Sequence, residues 1–460
     1  MNVSIVGTGY VGLTLAATLA TVGHKVYCID IDESKINTIK SGKSFFYEPG
    51  LDYFVKTGIE SGNLNPTTKY EEAIPDSEIA IICVGTPTTD NGDVDIRYVH
   101  QATNQIAALM KDGLIIVQKS TVPVGTGRTM EQILEKSNKK FSVVSCPEFL
   151  AEGTAVIDTL EVDRFVVGGD DESAKQTVIQ LFKSIDDYAK SVDFSKFDEF
   201  ASIYSSSNYQ KRKTDFKDKV ISIGLESAEL IKVTANAFLA TKISFANSIS
   251  RLCDISKANV IEVLDGIGRD ERIGRSFLYA GLGWGGGCFP KDTAGLLNYA
   301  KKNNFDFPVL QGAIKTNDDQ IEYTFQKVKS ILKNEFTGKT ISILGLSFKP
   351  GTSDVRMSPA IRLIKKLVDF DCTIKAYDPR AVEEAKKELI YPNVIFSDSI
   401  EECTKSSDLL ILATEWPEFV NYDYSSLLPS LSNAVIFDAR NRLNRKTLES
   451  LGYQYFSLGK

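Results

Sequence analysis

Val3-Ser-Ile-Val6-Gly7-Thr-Gly9-Tyr-Val-Gly12 is the stretch on which the reading of the whole chain turns. Four strand-forming residues run into glycines spaced G-x-G-x-x-G, and Leu13–Ala20 continue with helical spacing. The first glycine permits a tight turn, the second lets a pyrophosphate reach the backbone, and the third lets helix and strand pack closely. A phosphate there meets the helix N-terminus, whose N–H groups and dipole favour negative charge. A second strand, Lys25–Ile29, ends in Asp30, 18 residues beyond Gly12. The fingerprint puts a ribose-binding acid at about that distance. Asp30 repels a 2′-phosphate, so NAD is expected rather than NADP; Asp32 competes for the same role.

The alternation begun there continues outward. Ile79–Val84, Leu114–Gln118 and Val143–Ser145 read as further strands with helical segments between them. Strand and helix in alternation imply a parallel, doubly wound sheet. A second alternating region has strands at Ile341–Leu344, Thr373–Ala376, Leu409–Ala413 and Ala434–Phe437. Between them, Ser227 to about Ala300 is mostly helical, with Leu230, Val233, Ala237, Ala240 and Ile243 on one apolar face. The expected fold is α/β, with two Rossmann-like doubly wound parallel-sheet domains joined by a central helical domain. The expected boundaries are 1–220, 221–320 and 321–460. Within the first, 190–220 reads as an exposed insertion, on the strength of the charged run Gln210–Lys219.

Composition narrows the function. The chain has 460 residues, 43% of them hydrophobic and 25% charged, with a net charge of −7. That balance is globular, and the negative charge argues against a nucleic-acid binder. No apolar run reaches the length of a membrane span, and the first residues carry no basic region, so neither a membrane anchor nor a signal peptide is expected. Seven cysteines, none in a C-x-x-C pair, suit the reducing cytoplasm. With only His24 and His100 available, a histidine triad or a histidine metal site has no supply, and no metal is expected.

The most unusual stretch is Gly281-Leu-Gly-Trp-Gly-Gly-Gly287-Cys288-Phe-Pro290-Lys-Asp292. Pro290 suits the first turn of a helix, so Cys288 would sit at a helix N-terminus, where the dipole favours thiolate. Asp292, four residues on, shares its face. A nucleophilic cysteine beside a nicotinamide suggests aldehyde oxidation: thiolate adds, hydride leaves, and water cleaves the thioester. Lys232 and Asn236 lie four apart on the buried helix, placed to hold an alkoxide or oxyanion; a structural ion pair with Glu229 or another acid is the competing reading. Glu148 and Glu152 follow a strand end, where open parallel sheets bind ligands, and can handle water or protons. Thr86 and Thr121 occupy two more strand-end loops. Lys349 with Arg356, and Arg440 after the last strand, can clamp phosphate.

Taken together, Gly7–Gly12, Ser120–Gly125, Pro147–Thr154, Leu230–Phe238, Arg272–Asp292 and Lys349–Arg356 resemble the UDP-glucose 6-dehydrogenase family across nearly the whole chain. The resemblance implies a four-electron oxidation of UDP-glucose to UDP-glucuronate by two NAD, through a cysteine thiohemiacetal and thioester. It implies Cys288 as nucleophile, Asp292 as the aspartate assisting base and water chemistry, Lys232 and Asn236 as the oxyanion pair, and Thr121 and Glu152 as water-handling groups. Gly7, Gly9, Tyr10, Val11, Gly12, Asp30, Lys35, Thr86, Thr121, Glu152 and Arg356 would contact cofactor. Glu148, Phe149, Leu150, Lys232, Asn236, Arg272, Phe277, Tyr279, Gly285, Lys349 and Arg440 would contact the sugar nucleotide. Arg272 would reach the partner's sugar site, and the central helix would build a homodimer or a larger assembly. The alternatives are a dehydrogenase of GDP-mannose or a UDP-N-acetylhexosamine, a two-electron hydroxy-acid dehydrogenase, and an inert NAD-binding scaffold.

Overall fold

The computed structural model describes residues 1–89, 91–194, 197, 200 and 214–460. They form two compact units, Met1–Thr234 and Ala235–Lys460. The first is built on an eight-stranded sheet of β1 (Asn2–Val6), β2 (Lys25–Ile29), β3 (Leu64–Thr67), β4 (Ile79–Ile82), β5 (Leu114–Gln118), β6 (Phe141–Ser145), β7 (Phe165–Gly168) and β8 (Val220–Ile223). Their spatial order is β3-β2-β1-β4-β5-β6-β7-β8. All pairs are parallel except β6 and β7, joined by the antiparallel pair Ser145 and Gly168.

The order reverses at β1, which lies between β2 and β4 with Val3 opposite both Val26 and Ile79. A crevice at such a reversal is where open α/β sheets take ligands, and the glycine loop leaves β1 there. Apolar clusters cover both faces of the sheet: Val3, Ile5, Leu13 and Leu19 belong to one, Val6, Ile82, Ile106 and Ile116 to the other. Burial on both faces explains why these strands read as continuous apolar runs.

The second unit carries six parallel strands: β9 (Lys339–Leu344), β10 (Cys372–Tyr377), β11 (Val394–Phe396), β12 (Leu409–Leu412), β13 (Val435–Asp438) and β14 (Gln454–Ser457), ordered β11-β10-β9-β12-β13-β14. Helices Val260–Gly268, Phe289–Lys302 and Pro308–Ile331 precede that sheet in sequence. The helix Leu225–Ser256 spans the point where the two units divide.

Two readings need correction. Leu230 is 41% exposed, unlike Val233, Ala237 and Ala240 on the face assigned to it. Spacing of three or four residues is shared by two adjacent helical stripes, and Leu230 lies on the outer one. The stretch 190–220 is not uniformly exposed either: Phe194, Phe200 and Phe216 are buried, Phe194 stacks on Phe54, and Val220 begins β8. Of the charged run expected on the surface, residues 210–213 lie outside the described residues. No helix among the described residues is long and apolar enough to cross a membrane.

Candidate active site

The nucleotide loop has the geometry its glycines imply. Gly7 adopts φ +96°, and a Cβ there would lie 2.8 Å from the Cys83 carbonyl and the Val84 nitrogen. A Cβ on Gly12 would come within 1.8 Å of the Gly7 oxygen. Gly9 precedes the helix Tyr10–Thr21 with no side-chain cap and open space around it, so the first helical amides face a cradle suited to a pyrophosphate. Asp30 ends β2 and accepts from the Thr8 nitrogen at 2.9 Å and the Thr8 hydroxyl at 2.6 Å. Burial alone would raise this carboxyl, but the Thr8 and Asp32 donors hold it below its ordinary value. Asp32 instead caps the helix Glu33–Lys40 through the Ser34 and Lys35 amides, and its own amide donates to Asp30 at 3.0 Å. Lys35 lies over the Phe45 ring at 5.2 Å. These residues fit NAD.

Two strand-end loops, after β4 and after β5, are tied together. The Thr86 hydroxyl donates to the Thr121 carbonyl at 2.8 Å, and the Ser120 hydroxyl to the Val84 carbonyl at 2.8 Å. Glu229 accepts from the Gly125 and Gly127 amides at 2.6 and 2.7 Å; burial lifts its carboxyl to about 7. Lys232 is buried, and its partner is Glu148 at 2.9 Å, not Glu229. Burial pushes Glu148 up, but Lys232 and the Leu150 amide hold it below the usual carboxylate range. The Phe149 ring lies under Arg164 and 5.5 Å from the Lys232 ammonium. Glu152 is partly exposed on the same segment.

In the second unit Cys288 is the N-cap of Phe289–Lys302, with Pro290 in the first turn. It is exposed, whereas Cys28, Cys83, Cys146, Cys253, Cys372 and Cys403 are buried. Burial raises the thiols of Cys28 and Cys83 to about 12, so those cysteines are inert at neutral pH. Asp292 is buried and accepts from Asn236 at 2.6 Å and from Lys291 at 2.6 Å. The glycine loop before Cys288 is gripped by buried amides: Asn247 accepts from Gly281, and Asn317 both accepts from and donates to Trp284. A Cβ at Gly285 would lie 2.2 Å from the Met357 oxygen, and one at Gly287 would meet the Arg356 guanidinium at 2.6 Å.

The remaining expected residues are scattered through this unit. Arg356 forms a two-pronged ion pair with Asp354, and Lys349 lies over the Phe348 ring. Arg440 is paired with Glu415. Tyr279 is flanked by the guanidinium groups of Arg275 and Arg442, at 4.9 and 4.8 Å. Phe277 holds φ +64°, and Arg272 is exposed and paired with Asp270. Sequence reasoning did not single out Thr8, Lys119 or Glu48. Lys119 is buried and donates to the Cys146 carbonyl at 3.3 Å. Glu48 accepts from the Gly153 and Ala155 amides. A carboxylate in the aromatic turn Phe45-Phe-Tyr-Glu48-Pro-Gly50 was the signal available for Glu48.

Residues 1–186 match the NAD binding domain of the UDP-glucose/GDP-mannose dehydrogenase family, 226–319 its central domain and 342–445 its UDP binding domain. The UDP-glucose 6-dehydrogenase TuaD of Bacillus subtilis is 38% identical, over 100% of this chain and 93% of its own. The UDP-glucose 6-dehydrogenase of Rickettsia felis is 34% identical, over 100% and 96%. Among solved structures, a UDP-glucose dehydrogenase from Pyrobaculum islandicum superimposes with a TM-score of 0.86 at 29% identity, covering 100% of this chain and 97% of its own.

Proposed function

The chain belongs to the UDP-glucose/GDP-mannose dehydrogenase family, and on that premise we propose how its residues carry out the oxidation. The enzyme is an NAD-dependent oxidoreductase acting on a nucleotide sugar, and the substrate we assign is UDP-glucose, oxidised to UDP-glucuronate. The observation that carries this reading is the exposed Cys288 at a helix N-terminus, one turn from an Asp292 that orients Asn236.

NAD supplies the acceptor for the hydride in each of two oxidations. In the first, the C6 hydroxyl gives its proton to water, assisted by Asp292, and the Lys232 ammonium with the Asn236 amide stabilises the alkoxide as charge develops. Hydride departure leaves an aldehyde. The Cys288 thiolate adds to its carbonyl carbon, forming the C–S bond of a thiohemiacetal, and the oxygen again lies on Lys232 and Asn236. A second hydride departs and leaves a thioester. Water, directed by Thr121 and Glu152, attacks the acyl carbon; the C–S bond breaks, and Cys288 leaves as thiolate. Lys349 and Arg440 bind the sugar nucleotide and Arg356 the cofactor, with Glu148, Phe149 and Leu150 against the sugar.

We further propose a homodimer built on the helix Leu225–Ser256 and a cytoplasmic setting that keeps Cys288 reduced. The test is the number of NADH formed per UDP-glucose consumed, for the native chain and for C288S. Two NADH per sugar, with the second step stalled in the variant, is the expected result. One NADH with C288S unaffected discards the thioester route. No NADH sends the search to GDP-mannose and UDP-N-acetylhexosamines, and no turnover of any of them leaves an NAD-binding scaffold.

A further inference from the structure

We propose that Glu48 is a positioning residue for the oxidation, holding the segment that carries Glu152. The inference rests on the reading of Glu152 above as a group that directs water onto the thioester. Glu48 is 5% exposed. One carboxylate oxygen accepts from the Gly153 amide and the other from the Ala155 amide, both at 2.7 Å. Gly153 follows Glu152 directly, and Ala155 begins the helix Ala155–Leu160.

That helix does not cap itself. Thr154 stands at its N-cap without a side-chain bond to the first amides, and the Thr154 hydroxyl donates to Asp158 instead. The capping acceptor comes from Glu48, 107 residues away in sequence. A carboxylate that takes two amides in a fork fixes direction as well as distance. The other end of the segment is anchored independently: Glu148 accepts from Lys232 and from the Leu150 amide. Glu152 lies between these two anchors, on backbone that Glu48 holds through the next residue, Gly153. A shift of about 1 Å in such a group costs on the order of 100-fold in rate. The turn bearing Glu48 also touches the cofactor loop: the Tyr10 ring centroid is 4.0 Å from that of Phe46, and the Tyr10 hydroxyl donates to the Tyr47 carbonyl.

The test uses E48Q, which keeps the shape and one acceptor but turns an amino group toward one of the two amides. Native chain, E48Q and E152Q are mixed with UDP-glucose and excess NAD. Burst and steady-state NADH are followed together with the intact mass of the Cys288 peptide. The thioester is consumed when the water oxygen bonds the acyl carbon and the C–S bond breaks, so a misplaced Glu152 leaves the acyl group on sulfur. In E48Q we expect NAD affinity and the KM for UDP-glucose within about twofold of native and a burst of two NADH per chain. Turnover then slows about 10-fold, with the glucuronyl mass on Cys288, a milder form of E152Q. Native kcat in E48Q, or slow turnover without that mass, overturns the proposal. If E48Q does not fold, E48D keeps the charge with a shorter reach and must show the same acylated cysteine; a folded E48D lacking it also overturns the proposal. If E152Q carries no acyl group and the native chain yields one NADH, the reading of Glu152 falls, and this inference with it.

Discussion

Asn236 donates from its amide to a carboxylate oxygen of Asp292 at 2.6 Å, and Lys291 donates to the other oxygen at the same distance. Both oxygens of a fully buried carboxylate are thereby committed. Asp292 fixes the Asn236 amide in one orientation, which a donor facing a developing oxyanion requires.

Replacing that carboxylate separates the structural from the catalytic effect. D292A leaves a partly buried ammonium and a buried amide without their acceptor, and loses about 3 kcal/mol of stability, measured by urea unfolding. D292N preserves the shape but lets the Asn236 amide choose between orientations. It should unfold within a few degrees of native while kcat falls about 10–100-fold, read from steady-state NADH formation. Equal losses of stability in the two variants would remove the orienting role.

Lys232 and Glu148 make the corresponding pair in the first unit, 2.9 Å apart and buried. The folded Glu148 carboxyl lies below its ordinary value of 4.5. Its stabilising share is therefore present above about pH 4.5 and is lost as pH falls through the lower folded value. K232M leaves the carboxylate buried without its partner, at a cost of about 3–5 kcal/mol near pH 7. The unpaired acid then takes up a proton at higher pH than in the native chain. The gap between native and variant should narrow in acid, visible as converging thermal midpoints from pH 7.5 to pH 4.5.

Glu229 behaves oppositely. Its folded carboxyl is raised to about 7 from 4.5, chiefly by burial, against the pull of the Gly125 and Gly127 amides; Glu226 pushes it the same way and Arg128 opposes. Arg128 is shared with Asp170 and Glu131. Between these two pH values the folded chain holds the proton that the unfolded chain has released, so this group's contribution falls as pH rises. E229Q carries no such charge. At about 1.4 kcal/mol per pH unit, its stability relative to native should improve by up to about 3 kcal/mol from pH 5 to pH 8. A pH-independent difference in unfolding free energy would refute the shift.

These three carboxylates mark the limit of what sequence reasoning reached. The glycine loop was legible because Gly7, Gly12 and Asp30 act within a single βαβ unit, whose geometry fixes their spacing. Cys288 was legible because its loop and Pro290 specify a helix start locally. The partner of Lys232 was not: Glu148 lies 84 residues earlier, and only the sheet brings that strand end beneath the helix. Edge strands were missed for a related reason. β3 contains Pro66 and pairs with β2 alone, and a strand with one neighbour carries a weaker apolar signal and tolerates proline. Leu230 was misassigned because helical spacing identifies a stripe without saying which of two neighbouring stripes faces the core.

The outer stripe has a use that the proposed dimer explains. Phe238, Phe245 and Leu252 follow at seven-residue intervals on Leu225–Ser256 and are 64%, 50% and 58% exposed, with Ile255 beside them at 79%. Large apolar side chains repeating every seven residues form a seam suited to a second helix. Glutamate at the centre of such a seam opposes its own copy across a two-fold axis and must be desolvated there. F245E should therefore sediment as a monomer at micromolar concentration where the native chain is a dimer. Because Phe245 is half exposed within one chain, the substitution should leave secondary structure and NAD binding unchanged. A native chain that sediments as a monomer, or an F245E that remains dimeric, would place the interface elsewhere.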